Sequence, residues 1–182
     1  GNGFNVEKAK EYLAAAGYPN GAGFPEVTLI YNTSEGHKAI AEYVQQQWEN
    51  NLNISIKIEN NEWKTHLALG KEQQFQIMRL GWIGDYQDPN TFLELFYSFS
   101  GQNYGKYANE EFDSLVADAA LLPDGPERTA KLKAAETIFI EEDQGIIPIY
   151  FYSNHDLIDM DVWGGWYPTV MGNHPFKYIY KK

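Results

Sequence analysis

Residues 27–58 read VTLIYNTSEGHKAIAEYVQQQWENNLNISIKI. The first five residues alternate and are rich in β-formers. Ile40, Tyr43, Val44, Trp48 and Leu52 then recur on one helical face, and Ile54, Ile56 and Ile58 alternate again. This is a strand, a helix and a strand, and the connection is long enough for a right-handed crossover between parallel strands of one sheet. The fold class expected is α/β, a mixed sheet with flanking helices.

Outward from this unit, Asn5 caps a helix whose apolar positions are Val6, Ala9, Leu13 and Ala16, with Gly17 and Pro19 stopping it. Downstream, residues 62–69 read as a short helix and 75–80 (FQIMRL) as a buried strand. That strand runs into Gly81-Trp82-Ile83-Gly84-Asp85-Tyr86-Gln87-Asp88-Pro89. Residues 90–96 suit a turn or two of helix, and 98–107 a polar surface loop. Two helices follow, the first capped by Asn109 with Phe112, Leu115, Val116 and Ala119 inward. The second is opened by Asp124 and Pro126, with Leu132, Ala135, Ile138 and Phe139 inward. Residues 146–152 (IIPIYFY) read as a strand at an edge or bulge, and 176–180 as a last strand in an aromatic, glycine-rich tail.

The 182 residues carry 14 basic and 25 acidic side chains, a net charge of -11 that repels polyanions, so a nucleic-acid partner is not expected. Cysteine is absent, which excludes disulfides and thiolate sites and leaves the compartment open. Residues 1–16 lack the regions of a signal peptide, so the chain is expected to be either cytosolic or a trimmed piece of a longer one, and Gly1-Asn2-Gly3-Phe4 opening directly into a helix favours the piece. His37, His66, His155 and His174 show no ligand spacing, so neither metal nor cofactor is expected, and the common nucleophile and phosphate motifs are missing.

Within the 81–89 segment two aspartates stand three residues apart. As an acid and base pair they would serve glycoside hydrolysis, but such carboxylates normally come from separate strands. Asp88 before Pro89 reads instead as an Asx-turn or cap. Asp85 lies beyond a hydrophobic strand, where α/β ligands bind, between glycines and the aromatic Trp82 and Tyr86. Such a carboxylate suits a ligand ammonium. Trp63, Trp82, Trp166, Tyr150 and Tyr152 are candidates for a roomy pocket or for the core. Arg79, in an apolar strand, is either a snorkelling edge residue or a partner for a carboxylate.

Three runs in this order, Glu62-Trp63-Lys64-Thr65, RLGWIGDYQDP at 79–89, and IPIYFY at 147–152, together with Ala16-Gly17-Tyr18-Pro19-Asn20-Gly21, resemble the solute-binding proteins of oligopeptide ABC transporters. The resemblance covers nearly the whole chain. It implies the C-terminal lobe of a two-lobed, type II periplasmic-binding-protein-like fold. Residues 1–160 would belong to that lobe, and 161–182 to a tail that returns to a first lobe lying N-terminal to this sequence. Without that lobe the tail is expected to be mobile or to find a new contact.

The resemblance also implies roles. Asp85 receives the α-ammonium of an extended oligopeptide, Gly81 offers backbone groups, and Trp82, Trp63 and Tyr152 line pockets. Asn103 is a polar loop position near the ligand, and Arg79 serves the peptide carboxylate end. A second arginine that some members carry after the WKT helix is missing, since Gly70 and Lys71 stand there. The implied partners are oligopeptides, the missing N-terminal lobe and the membrane permease of an ABC importer. The implied location is extracytoplasmic, periplasmic or anchored as a lipoprotein. The same fold could take dipeptides, murein peptides or another amine-bearing solute. The rival of a different class is an acidic hydrolase using Asp85; the expectation is a receptor that is not an enzyme.

Overall fold

A computed structural model describes residues 3–153, 155–169 and 172–182. The chain divides into two compact units, Gly1–Trp82 with Gly101–Lys106, and Ile83–Ser100 with Tyr107–Lys182. Each has its own core.

In the first unit, helix α1 (Val6–Ala15) starts where the Asn5 side chain accepts the Lys8 N–H. It ends at Gly17, whose φ of 95° is the left-handed conformation that glycine adopts without penalty. Strand β1 (Val27–Asn32), helix α2 (Glu35–Leu52) and strand β2 (Ile56–Asn61) form the expected unit, and β1 and β2 pair in parallel, Val27 opposite Ile56 through Asn32 opposite Asn61. Asn53 closes α2 with a positive φ, so the chain turns before Ile54 and β2 starts at Ile56, two residues later than the alternation suggests. Leu29, Tyr31, Ala41 and Ile56 are the core, backed by Val44 and Trp48. Tyr43, expected on the inward face of α2, is exposed.

Helix α3 (Trp63–Lys71) is capped by Glu62, and strand β3 (Ile77–Met78) lies on the other side of β1, giving a parallel order β2-β1-β3. Of the expected strand 75–80 only these two residues form the ladder, and the Arg79 N–H adds one further bond to the Ile30 carbonyl. Gly70 is buried at a point where a Cβ would stand 2.7 Å from the Tyr104 ring and 3.0 Å from the Met78 terminal methyl. A longer side chain there would have to displace that ring.

The second unit holds α4 (Asn90–Leu93), α5 (Glu110–Ala120) and α6 (Pro126–Thr137), followed by a widened helical turn at Ile138–Glu142. Asn109 caps α5 by accepting the N–H groups of Glu111 and Phe112. Pro126 is the first helical residue of α6, as expected, but the cap position is Gly125 and no side chain, Asp124 included, caps the helix. Leu93, Phe112, Val116, Ala119, Leu132, Ala135, Ile138 and Phe139 form one core. Phe112 and Phe139 lie 5.4 Å apart and both contact Tyr107. Burial of the Tyr107 hydroxyl and its hydrogen bond to Asp143 raise its pKa.

The expected strand at 146–152 is corrected: these residues form no strand, and Ile147, Ile149, Phe151 and Tyr152 are exposed. A run of β-forming apolar residues supplies strand propensity, but a ladder also needs a partner strand for its N–H and C=O groups, and no described residue provides one. In the tail, β4 (Trp163–Gly164) and β5 (Tyr180–Lys181) pair antiparallel. The strand expected at 176–180 is instead a short 3-10 turn at Phe176–Tyr178, and the ladder begins at Tyr180.

Candidate functional site

The first unit gathers polar groups at the carboxyl ends of its parallel strands, where open α/β sheets bind ligands. Asn32 ends β1, Asn61 ends β2 and Arg79 follows β3. The Arg79 Nη1 lies 3.5 Å from Asn32 Oδ1 and 3.4 Å from His37 Nδ1, which is also 3.2 Å from the Asn32 carbonyl. That ring nitrogen can donate to the carbonyl or accept from the guanidinium, not both at once. Burial, and then the Arg79 charge, hold the His37 pKa below its ordinary value.

His66, on α3, is fully buried, and its Nε2–H donates to the Arg79 carbonyl at 2.9 Å. Burial lowers its pKa more than that bond raises it. Trp63 stacks on His66 with ring centroids 6.3 Å apart and stays half-exposed. Thus Arg79, His37, His66 and Trp63 come together. His37 has no motif to announce it; the signal that could have found it is its place in the first turn of the helix after β1.

Of the other sequence candidates, Gly81 and Trp82 follow in exposed chain at the end of this unit, and Asn103, in its 101–106 loop, is only 2% exposed. A cavity of about 230 Å³, lined by Phe24, Glu26, Asn53 and Lys57 among others, lies at the amino ends of β1 and β2, away from Arg79.

In the second unit the 83–90 segment is coil and turn up to the start of α4. Asp85 is exposed, and its backbone N–H donates to the buried Thr91 hydroxyl at 2.9 Å. Among the described residues its carboxylate makes no ion pair. Asp88 behaves oppositely. Its Oδ1 accepts the Asn90 N–H at 2.8 Å, the Asx-turn expected, and both oxygens are held by Arg128 at 2.7 Å. The Arg128 hydrogen bonds hold the Asp88 carboxyl below its usual range. Tyr86 turns its hydroxyl to Glu94 and Asn90 rather than to Asp85. Tyr152 packs edge-on against Tyr150, 4.6 Å between centroids.

A pH dependence follows. Because folding lowers the Asp88 pKa, the pair stabilises fully above the unfolded carboxylate value, about 3.9, and that contribution is lost as pH falls through the lower folded value. Urea unfolding of the protein and of Asp88→Asn should give a midpoint gap that is constant from pH 5 to 7 and closes toward pH 2. Histidine titration is common to both proteins and cancels in the difference.

The model for bacterial extracellular solute-binding proteins, family 5 Middle, matches residues 1–104. An oligopeptide-binding protein of Bacillus subtilis (strain 168) is 38% identical over 155 residues, 82% of this chain and 28% of its own length. A periplasmic murein peptide-binding protein of Escherichia coli (strain K12) is 40% identical over 152 residues, 83% of this chain and 28% of its own. The crystal structure of a periplasmic oligopeptide-binding protein from Borrelia burgdorferi superposes with a TM-score of 0.85 at 38% identity, covering 98% of this chain and 36% of that one. The chain therefore spans about a third or less of the proteins it matches.

Proposed function

The chain belongs to the bacterial extracellular solute-binding proteins of family 5, and on that premise we propose that it supplies one lobe of a receptor for extended peptides, serving an ABC importer. The α/β architecture with flanking helices is that of the type II periplasmic-binding-protein class. Residues 1–160 read as lobe and 161–182 as a tail directed to a further lobe, which would complete the cleft. The protein would work outside the cytoplasm, periplasmic or lipid-anchored, with a membrane permease as partner, and would capture its ligand without reacting it.

The observation that carries this reading is the contrast between two aspartates three residues apart. Asp88 is neutralised by Arg128, whereas Asp85 is exposed and takes no ion pair among the described residues. An acidic side chain left open in a braced segment is suited to a cation from outside, and a peptide brings one at its amino end. Arg79, with His37 beside it, offers the complementary charge for a peptide carboxylate. Trp63, Trp82 and Tyr152 present aromatic surface that tolerates varied side chains and Gly81 offers backbone groups, whereas Asn103 is buried and would support the loop rather than touch the ligand. A murein peptide-binding relative at 40% identity favours one second reading, in which the ligand is a peptide of cell-wall type.

Mass spectrometry of ligands released from the full-length protein should return peptides of mixed sequence. Recovery of a uniform non-peptide solute would overturn the reading, and a single cell-wall peptide would select the second.

A further inference from the structure

The 83–90 segment carries Asp85 with little regular structure of its own, so something else must fix where the carboxylate stands. Two braces are visible. One is local: Thr91, fully buried, accepts the Asp85 N–H, and Gly84 lies so close that a Cβ there would meet the Thr91 methyl at 3.0 Å and Phe92 at 3.3 Å. The other reaches 40 residues along the chain, from Asp88 to the Arg128 fork. Arg128 rides on α6, whose Leu132 and Ala135 are core residues, so the guanidinium is anchored through a packed helix.

From this we propose that the Arg128–Asp88 pair is a positioning clasp for the ligand-binding carboxylate of Asp85, an inference that rests on the reading of Asp85 as the ammonium receptor. Three features separate the clasp from an ordinary surface ion pair. It is bidentate, with both contacts at 2.7 Å, and its side chains are only 15% and 20% exposed. The same Asp88 carboxylate also orders the backbone at Asn90, at the mouth of α4. And it leaves Asp85 none of the holding to do: one aspartate is consumed by the scaffold and the other stays open. A surface pair of flexible side chains contributes little, but a planar fork docked on a carboxylate fixes orientation as well as distance. Arg128 cannot itself serve the ligand's carboxylate, because Asp88 already fills its fork.

The clasp is tested by calorimetric titration of the full-length protein with tri-alanine and with N-acetyl-tri-alanine. The readout is the ratio of their dissociation constants, which isolates the ammonium contact. Asp85→Asn should collapse the ratio; if it does not, the reading of Asp85 fails, whatever the clasp does. Given that collapse, Arg128→Met and Asp88→Asn should each weaken tri-alanine by roughly two- to thirtyfold and leave the acetylated peptide unchanged. Arg128→Lys, which keeps the charge and loses the fork, should fall between. If both clasp variants shift the two peptides equally, or shift neither, the pair is structural only and the inference is wrong. Should Arg128→Met fail to fold, Asp88→Asn alone decides, since it keeps the shape of the side chain and its Asx-turn acceptor.

Discussion

Replacing Asp85 by alanine in the full-length protein should weaken peptide binding by about 2–5 kcal/mol, the usual loss when one member of a desolvated charge pair is truncated. The size depends on closure. In this chain the carboxylate is exposed, where an ion pair is worth little because water screens it. A second lobe closing over the peptide would exclude that water and raise the interaction to the buried regime. The same substitution should therefore cost far less in the 182-residue chain studied alone, whose own peptide affinity is expected to be weak on the proposal that a further lobe supplies the rest of the cleft, since the entropy of association remains. Calorimetry on both forms checks this. An unchanged affinity in the full-length protein would remove Asp85 from the site.

How much of this could be read beforehand depends on the range of each interaction. The βαβ unit was legible because its signals are local: alternation in 27–31, a helical stripe through Val44 and Trp48, and alternation again at Ile56 and Ile58. The caps at Asn5 and Asn109 were legible for the same reason, since a side chain that accepts an N–H three residues on needs nothing distant. The segment 146–152 misled because its apolar, β-forming run is as strand-like as β1, yet β1 has β2 and β3 to pair with and this stretch has no described partner. Local propensity proposes a strand; only a second strand completes one.

At the site the division is the same. Asp85 and Asp88 look alike in sequence, two aspartates in one short run, and the Asx-turn at Asp88 was legible from Pro89 behind it. What separates the two is Arg128, which holds the Asp88 carboxylate, and no local pattern ties it to that aspartate from 40 residues away. The grouping of His37 and His66 about Arg79 escaped for the same reason, since the three lie on different elements and meet only when the sheet forms.

The largest effect on stability is expected at Phe112. Its ring is fully buried, and it contacts both Tyr107 and Phe139 within the single core of the second unit. Phe112→Ala removes most of a large side chain from a place where α5 and α6 already touch, so the helices can collapse only partly into the void. The cost is the lost burial plus the cavity, about 3–5 kcal/mol. Because the core is built on α5 and α6, the loss should appear in native-state hydrogen exchange as faster exchange at the slowest amides of both helices, by a factor matching that free energy. Phe112→Leu keeps much of the apolar volume and should cost well under half as much. If the alanine variant lost less than about 1 kcal/mol, Phe112 would not be the centre of this core. The aromatic cluster of Phe112, Phe139 and Tyr107 would then be filling space that other side chains can fill. The anchor for α6, and through Arg128 for the segment bearing Asp85, would have to be sought in Leu132 and Ala135 instead.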